Sequence, residues 1–498
     1  MIVTGVDHGP RLGVTCTQAD ATGIPADLLL AGASPLSATN PPPGLSGPMA
    51  SYRAMEYAGE VGEDLLVTRR PEDAFAATQV MVVGIGETLT AERCQQLGLL
   101  IGRHHPKADV VTDIHMRAAD PVAAALALVR GLGQGGYRFD HYRGVSAAEG
   151  GPAALTFAST PADLQESLSA ALVDAQVVED AVVWARDLTN LAAGDLLPTD
   201  LGRQAAGLAG GALSVMVHEE DWLREQGFAG LLSVSAGSAN PCCLIEATYR
   251  GPDAGDRAPL IIVGKGITFD SGGLSLKKAE NMIDMKTDMG GGAAALAALR
   301  AVADLAPPSA YVKVYVPAAE NLPGPHATHP GDVLTHLDGR TTEVVNTDCE
   351  GRLVMSDVVA WAARENPMAL VTVATLTYSA VAALGTEITA VLGDRGVCGD
   401  LIASSEAVGE PMWELPMWTN YLTLMTSMVA DLRNEENVDA AAAIVGGLYL
   451  QQFAAGVRFA HIDIGGTAYL EKASDRGTGG ATGVMVRTLI EFILRKHT

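Results

Sequence analysis

Several things this chain lacks narrow its chemistry. Six cysteines (Cys16, Cys94, Cys242, Cys243, Cys349 and Cys398) are scattered over 498 residues with no CxxC spacing. That argues against both a disulfide framework and a thiolate zinc site, and makes a reduced cytoplasm the simplest expected location. Positive charge is short: 33 Lys and Arg stand against 58 Asp and Glu, a net charge of −25. Such a balance disfavours a phosphate-binding surface, so neither nucleic acid nor an anionic membrane is expected as the main partner. Long apolar runs are missing too. The most apolar late stretch, AAAAIVGGLYL (Ala440 to Leu450), is too short to span a bilayer and contains two glycines. The opening MIVTGVDHGPRLGVT has no basic region followed by an apolar one, so no secretory signal is expected.

Three catalytic motifs are also missing. Gly264-Lys265 has neither the preceding spaced glycine nor the following Ser/Thr of a phosphate-cradling loop. Ser235 and Ser271 both lie outside a G-x-S-x-G elbow. The zinc-binding helix pattern HExxH does not occur; the nearest text, VHEEDW (Val217 to Trp222), reads as a surface helix or turn.

What is present is an α/β pattern. The length implies two or three domains, and 48% hydrophobic residues with 55 glycines suit a core rich in Ala, Val and Leu. After a Gly- and Pro-broken start, with ATNPPPGLSGP (Ala38 to Pro48) as a loop, TQVMVVGIGE (Thr78 to Glu87) reads as a buried strand. A helix from about Thr90 and another at VAAALALVRGL (Val122 to Leu132) follow, which together suggest a small α/β domain. GIGETL lacks the third glycine of a dinucleotide fingerprint. From Thr160, a Thr cap, Pro161 and Asp163 open a long helix towards Leu188 that connects the domains, with the boundary placed near residue 165. The expected organisation is therefore an N-terminal α/β domain over 1–165 and a larger α/β catalytic domain over 166–498 with a mixed central sheet. Its strand candidates are LIEATYR, PLIIVGKG, YVKVYVPA, LVTVATLTY and FAHIDIGG; its helices include GGAAALAALRAVADL and LVMSDVVAWAARE.

In such sheets chemistry gathers beyond the C-terminal ends of strands, and the polar clusters fall there. Leu260 to Gly292 carries Lys265, Asp270, Lys277 and Asp288 among glycine turns. Charges beside glycine turns are common on surfaces, and by itself the run fits that plain reading as well. NTDCEGRL (Asn346 to Leu353) adds Asp348 and Glu350, two apart, so that in an extended loop both point to one face. Asp270, Asp288, Asp348 and Glu350 together would make an oxygen-rich site suited to Mg, Mn or Zn. Four carboxylates in one pocket repel unless cations neutralise them.

The motifs VGKGITFDSGGLSLK, MKTDMGGG, VPAAENLPG, HPGDVL, NTDCEGRL, ATLT, FAHIDIGGTAY and GATGVMVRTLIEF closely resemble the leucyl aminopeptidase family, in the family's order and spacing. The resemblance runs from about Trp184 to the C-terminus, with a weaker echo at GGYRFDHYR (Gly135 to Arg143). It implies a metal-dependent exopeptidase that removes N-terminal residues from peptides with two divalent ions, Mn or Zn, with Mg or Co as further candidates. By motif position, Asp270 and Glu350 correspond to bridging carboxylates, Lys265 and Asp288 to the rest of one ion's shell, and Asp348 to the other's. Lys277 matches the catalytic lysine, and Arg352 the arginine that holds bicarbonate, the general base. Met285, Thr375, Leu376, Thr377 and Tyr378 match the substrate-binding positions. A cytoplasmic homohexamer is implied as well. Some relatives also bind DNA as regulators, a role that the acidic charge disfavours.

This chain departs from the family at several places. Cys349 replaces a usual alanine and reads as a small buried hydrophobe. Tyr378 and Ser379 replace Gly and Ala, and either narrow the pocket for the first side chain or turn away from it. A narrowed pocket would make the enzyme a specialised dipeptidase or amidase. Met485 stands at a usual glycine, and His329 where Arg or Lys is common.

Overall fold

The computed structural model describes residues 13–33, 64–68, 76–85, 88–105, 107–144, 154–474 and 477–497. The expected loop at Ala38 to Pro48 and part of GIGETL lie outside these residues. The chain divides into two compact units, one of residues 7–180 with 472–479, the other of 1–6, 181–471 and 480–498.

The first unit has a six-stranded sheet of β1 (Gly13–Cys16), β2 (Leu28–Ala33), β3 (Asp64–Thr68), β4 (Gln79–Gly84), β5 (Val110–Thr112) and β6 (Ala154–Phe157). Its order is β1-β6-β5-β2-β4-β3, parallel throughout except for the β3–β4 pair. Helix α1 (Ala91–His104) starts at Thr90, whose side chain accepts from the Arg93 amide, and α2 (Pro121–Gly136) starts at Asp120, bonded to the Ala123 amide. Each cap satisfies an amide that the first turn leaves unpaired. Helix α3 (Ala162–Asn190) is the long helix read from the sequence. The boundary expected near 165 falls in its first turn, whereas the units divide inside it, between Asp180 and Ala181.

The second unit is built on a nine-stranded mixed sheet: β7 (Leu213–Glu219), β8 (Cys243–Arg250), β9 (Leu260–Gly264), β10 (Gly266–Asp270), β11 (Tyr311–Asn321), and further on β14 (Ala369–Ala374), β15 (Thr389–Gly393), β16 (Met412–Glu414) and β18 (Phe459–Asp463). A small separate sheet holds β12 (Val333–Thr335), β13 (Thr341–Glu343) and β17 (Leu432–Arg433). In the large sheet the order is β16-β15-β18-β14-β9-β11-β8-β7, with β10 paired to β11. Strands β18, β14, β9 and β11 are mutually parallel, and β10 runs parallel to β11. Every residue of β9, β14 and β18 is buried, as strands covered on both faces require.

Helices α4 (Gly290–Leu305), α5 (Glu350–Ala363), α6 (Tyr378–Leu384), α7 (Arg395–Val408), α8 (Ala442–Gln452) and α9 (Val486–His497) accompany the sheet. Thirteen of the fourteen α5 residues are buried; only Trp361 is not fully so. A helix enclosed nearly all round belongs to the core, which fixes what its ends carry. Two local readings from sequence change, and a third acquires a backbone reason. LVTVATLTY is not one strand: it ends at Ala374, and Tyr378 opens α6 under a Thr377 cap whose oxygen accepts from the Ala380 amide. Glu350 lies in the first turn of α5 and not in an extended loop with Asp348, because the helix built on the apolar run from Leu353 onward extends back to it. Met485, at an expected glycine position, is fully buried at φ 71°, a conformation costly for a residue with a Cβ. Among the described residues no helix is long and apolar enough to cross a membrane.

Candidate active site

The parallel strands deliver their C-terminal ends to one edge of the sheet. Lys265 follows β9, Asp270 closes β10, Asn321 closes β11, Thr375 follows β14 and Asp463 closes β18. The N-terminal turn of α5 brings Glu350 and Arg352, and a short 3-10 turn, Met285–Met289, brings Asp288. Topology alone gathers these groups.

Two lysines organise the centre. Lys265 Nζ lies 2.8 Å from Asp288 Oδ1 and 2.5 Å from Glu350 Oε1, and donates to the Thr375 carbonyl at 3.2 Å. Lys277 Nζ lies 2.9 Å from Asp270 Oδ2 and 2.6 Å from Asp348 Oδ1. All are deeply buried except Asp348, whose side chain is 27% exposed. Asp348 and Glu350, neighbours in sequence, thus serve different lysines. Oxygens of Asp270, Asp288 and Glu350 come within 4.8 Å of one another.

The electrostatics are unbalanced, with four carboxylates facing two ammonium groups. Burial, reinforced by Glu350, pushes Asp270 up to about 7. Burial likewise holds Asp288 well above the usual carboxylate range and raises Asp348. For Glu350 burial acts in the same sense, but Lys265 and Lys277 outweigh it and bring it below its ordinary value. Both lysines lie above theirs, since the surrounding carboxylates overcome the cost of burying an ammonium. Asp288 Oδ2 is buried with no hydrogen-bond partner. An orphaned buried carboxylate oxygen and excess negative charge are the two features that an added cation would relieve, so the residues fit divalent ions.

A surrounding shell fixes the carboxylates. Asp270 Oδ1 accepts from Asn321 Nδ2 at 2.7 Å and from the Gly272 amide at 2.8 Å. Asn321 Nδ2 also donates to the Thr347 carbonyl at 2.9 Å, tying the strand end to the NTDCEGRL loop. Gly272 sits at φ 87°, and a Cβ there would come within 2.8 Å of Asp348 Oδ1, so only glycine takes this turn without strain. Thr375 Oγ1 donates to Asp288 Oδ1 at 2.6 Å. Asp463 accepts from the Leu376 amide at 3.2 Å and from Thr377 Oγ1 at 2.7 Å, pinning the segment after β14.

Of the residues singled out from sequence, Lys265, Asp270, Lys277, Asp288, Asp348 and Glu350 form one cage, and Thr375 joins it. Arg352 is buried one half-turn beyond Glu350, with Nη1 donating to the Asn434 carbonyl at 2.6 Å. Met285 is partly buried at the start of the turn that carries Asp288. Tyr378 is 63% exposed. Cys349 lies against Glu435, 3.9 Å from Sγ to Oε1, and burial pushes its thiol up to about 12, which keeps it protonated and unreactive. Asn321, Asn434 and Asp463 escaped the sequence reading. Asn321 and Asp463 lie inside VPAAENLPG and FAHIDIGG, and their positions at strand ends were the available signal.

A buried acid-and-lysine cage thus stands at the C-terminal edge of a mixed α/β sheet, where proteins of this architecture carry their chemistry. Residues 183–490 match the catalytic domain of the cytosol aminopeptidase family. A probable cytosol aminopeptidase of Geobacter sulfurreducens is 37% identical over 463 residues, covering 90% of this chain and 91% of the relative. One from Syntrophotalea carbinolica is 38% identical over 454 residues, covering 89% and 90%. Among solved structures, the bottromycin maturation enzyme BotP in complex with Mn has a TM-score of 0.83 at 35% identity, over 95% of this chain and 100% of that one. A tomato leucine aminopeptidase mutant has 0.85 at 25% identity, over 99% and 98%. The chain belongs to the cytosol aminopeptidase family and is a peptidase.

Proposed function

We propose that this chain removes the N-terminal residue, leucine-like or other, from peptides, with two divalent ions held by Lys265, Asp270, Asp288, Asp348 and Glu350. The observation that carries the reading is the cage itself, in which four carboxylates surround two lysines and Asp288 Oδ2 has no partner. Mn is the first candidate, because a similar structure is described as a Mn complex; Zn, Mg and Co suit the same donors. When bound, the ions would lower the pKa of a water, polarise the scissile carbonyl and anchor the free α-amine.

The chain's own residues divide the remaining work. By motif position Asp270 and Glu350 would be shared by the two ions, Lys265 and Asp288 would complete one position and Asp348 the other. Lys265 would hold an ion as the neutral amine, which a neighbouring dication favours over the ammonium. Lys277 stays cationic and stabilises the oxyanion as it develops. Arg352 would hold an anion, bicarbonate by family resemblance, which when bound would supply a general base. Thr375 to Tyr378, with Met285, line the substrate, and Asp463 holds that segment's main chain in place.

Exhaustive chelation should abolish cleavage of Leu-, Ala- and Gly-leading peptides, and Mn or Zn should restore it. Activity untouched by metal removal would falsify the two-ion reading. Lys277→Ala should lower the rate while metal content is kept; loss of metal would refute its assigned role. A narrower substrate range is a second reading, supported by the similarity to a maturation enzyme. It requires one peptide class to be cleaved far faster than the others. We also propose a cytosolic homohexamer on the family resemblance, to be tested by light scattering.

A further inference from the structure

The anion site just proposed already faces a carboxylate of this chain. Arg352 is 3% exposed, and among the described residues it makes one ion pair, with Glu436 Oε2 at 3.8 Å from Nη1. That oxygen is buried and has no hydrogen-bond partner. A separation of 3.8 Å compensates a buried guanidinium but is too long for a hydrogen bond. The neighbouring carboxylates are engaged elsewhere. Glu435 Oε1 accepts from Asn346 Nδ2 at 2.7 Å, and Glu350 pairs with Lys265 at 2.5 Å. Asn434 locks this turn to the catalytic loop, donating to the Asn346 carbonyl at 2.6 Å while its own carbonyl receives Arg352. Glu436 therefore stands beside the guanidinium in a turn tied to both the segment before Asp348 and Arg352 on α5.

We propose that Glu436 is a built-in occupant of the Arg352 anion site, supplying negative charge there when no external anion is bound and weakening the binding of carbonate. The proposal rests on the reading of Arg352 as an anion holder and specifies how that site is regulated. A carbonate hydrogen-bonded to the guanidinium would lie a few ångströms from Glu436 Oε2, and the two anions would share one buried cation. Like charges at that range cost enough to weaken carbonate binding by about tenfold or more. Binding therefore requires Glu436 to withdraw from the guanidinium.

The test compares the full-length chain with its Glu436→Gln, Glu436→Ala and Arg352→Met variants. Calorimetric titration with sodium bicarbonate is run in CO2-stripped buffer at constant ionic strength, with thermal melting to show that each variant folds. Glu436→Gln keeps the side chain's size and loses only its charge, so it guards against a packing artefact in Glu436→Ala. Both should bind bicarbonate about tenfold more tightly than the unsubstituted chain, and bicarbonate should raise their melting temperature more. Adding Arg352→Met to Glu436→Gln should remove the gain. Equal, measurable affinity in the unsubstituted chain and both Glu436 variants would overturn the proposal and leave the Arg352 reading standing. Absence of bicarbonate binding in every protein would overturn both.

Discussion

Replacing Gly351 by alanine sets two physical effects against each other. Gly351 is the second residue of α5, and alanine in a helix is ordinarily favoured over glycine by about 1 kcal/mol. Propensity alone therefore predicts a more stable protein. The added Cβ, however, would stand 2.7 Å from Lys265 Nζ, 2.8 Å from its Cε and 3.0 Å from Leu376 Cδ1. Ordinary contact needs about 3.4 Å or more, so Lys265 must retreat by about 0.7 Å. The end of a free lysine would move at little cost. This one is held by Asp288 at 2.8 Å, Glu350 at 2.5 Å and the Thr375 carbonyl at 3.2 Å. Losing a buried ion pair costs about 3–5 kcal/mol, and partial loss a fraction of that. The net expectation for Gly351→Ala is destabilisation by about 1–3 kcal/mol. Metal content should fall as well, because Lys265 is pushed away from the position in which it meets Asp288 and Glu350. Chemical denaturation and elemental analysis of the purified variant measure both. A variant as stable as the original, with full metal content, would refute the argument that the cage has no room for a methyl group.

Three further outcomes follow from other parts of the unit. Asp357 is fully buried and accepts from the Gly230 and Leu337 amides at 2.6 and 2.8 Å, with His336 Nδ1 at 3.1 Å; Asp357→Ala strands those donors and should cost about 3 kcal/mol in urea denaturation. Asp463→Ala frees the Leu376 amide and the Thr377 hydroxyl, so kcat/KM should fall by about tenfold to a hundredfold while metal content holds. Fully buried His461 is held neutral, first by burial and then by Arg352, down to about 3 from an ordinary 6.5. Between those values the unfolded chain binds a proton that the folded chain does not, so stability present above pH 6.5 is lost as pH falls towards 3. His461→Gln should flatten that acid slope; an unchanged slope would assign the acid sensitivity to other groups.

The legible part of the site was what local sequence records. Lys265, Asp270, Asp288, Asp348 and Glu350 lie at or near the ends of apolar runs, and the runs themselves announce strands and helices by their period. The long helix and the α/β alternation were readable for the same reason. Tyr378 was misplaced on a strand because the apolar pattern of β14 runs past its true end, and a side-chain cap settles the change to helix. What could not be read was every partnership across long separations. Asn321 meets Asp270 across 51 residues, and Asn434 meets Arg352 across 82. In the text NEEN (Asn434 to Asn437), two adjacent glutamates look like an ordinary solvated bend.

By itself the sequence determined the elements, the residue types at the strand ends and, through its motifs, the family. Only the tertiary structure decided that Lys265 and Lys277 divide the four carboxylates between them, that Asp288 keeps an unpartnered oxygen, and that Glu436 stands against Arg352. The reason is that periodicity and turn chemistry act over a few residues, whereas charge balance in a buried site depends on which distant chain ends the sheet's parallel order brings to one edge.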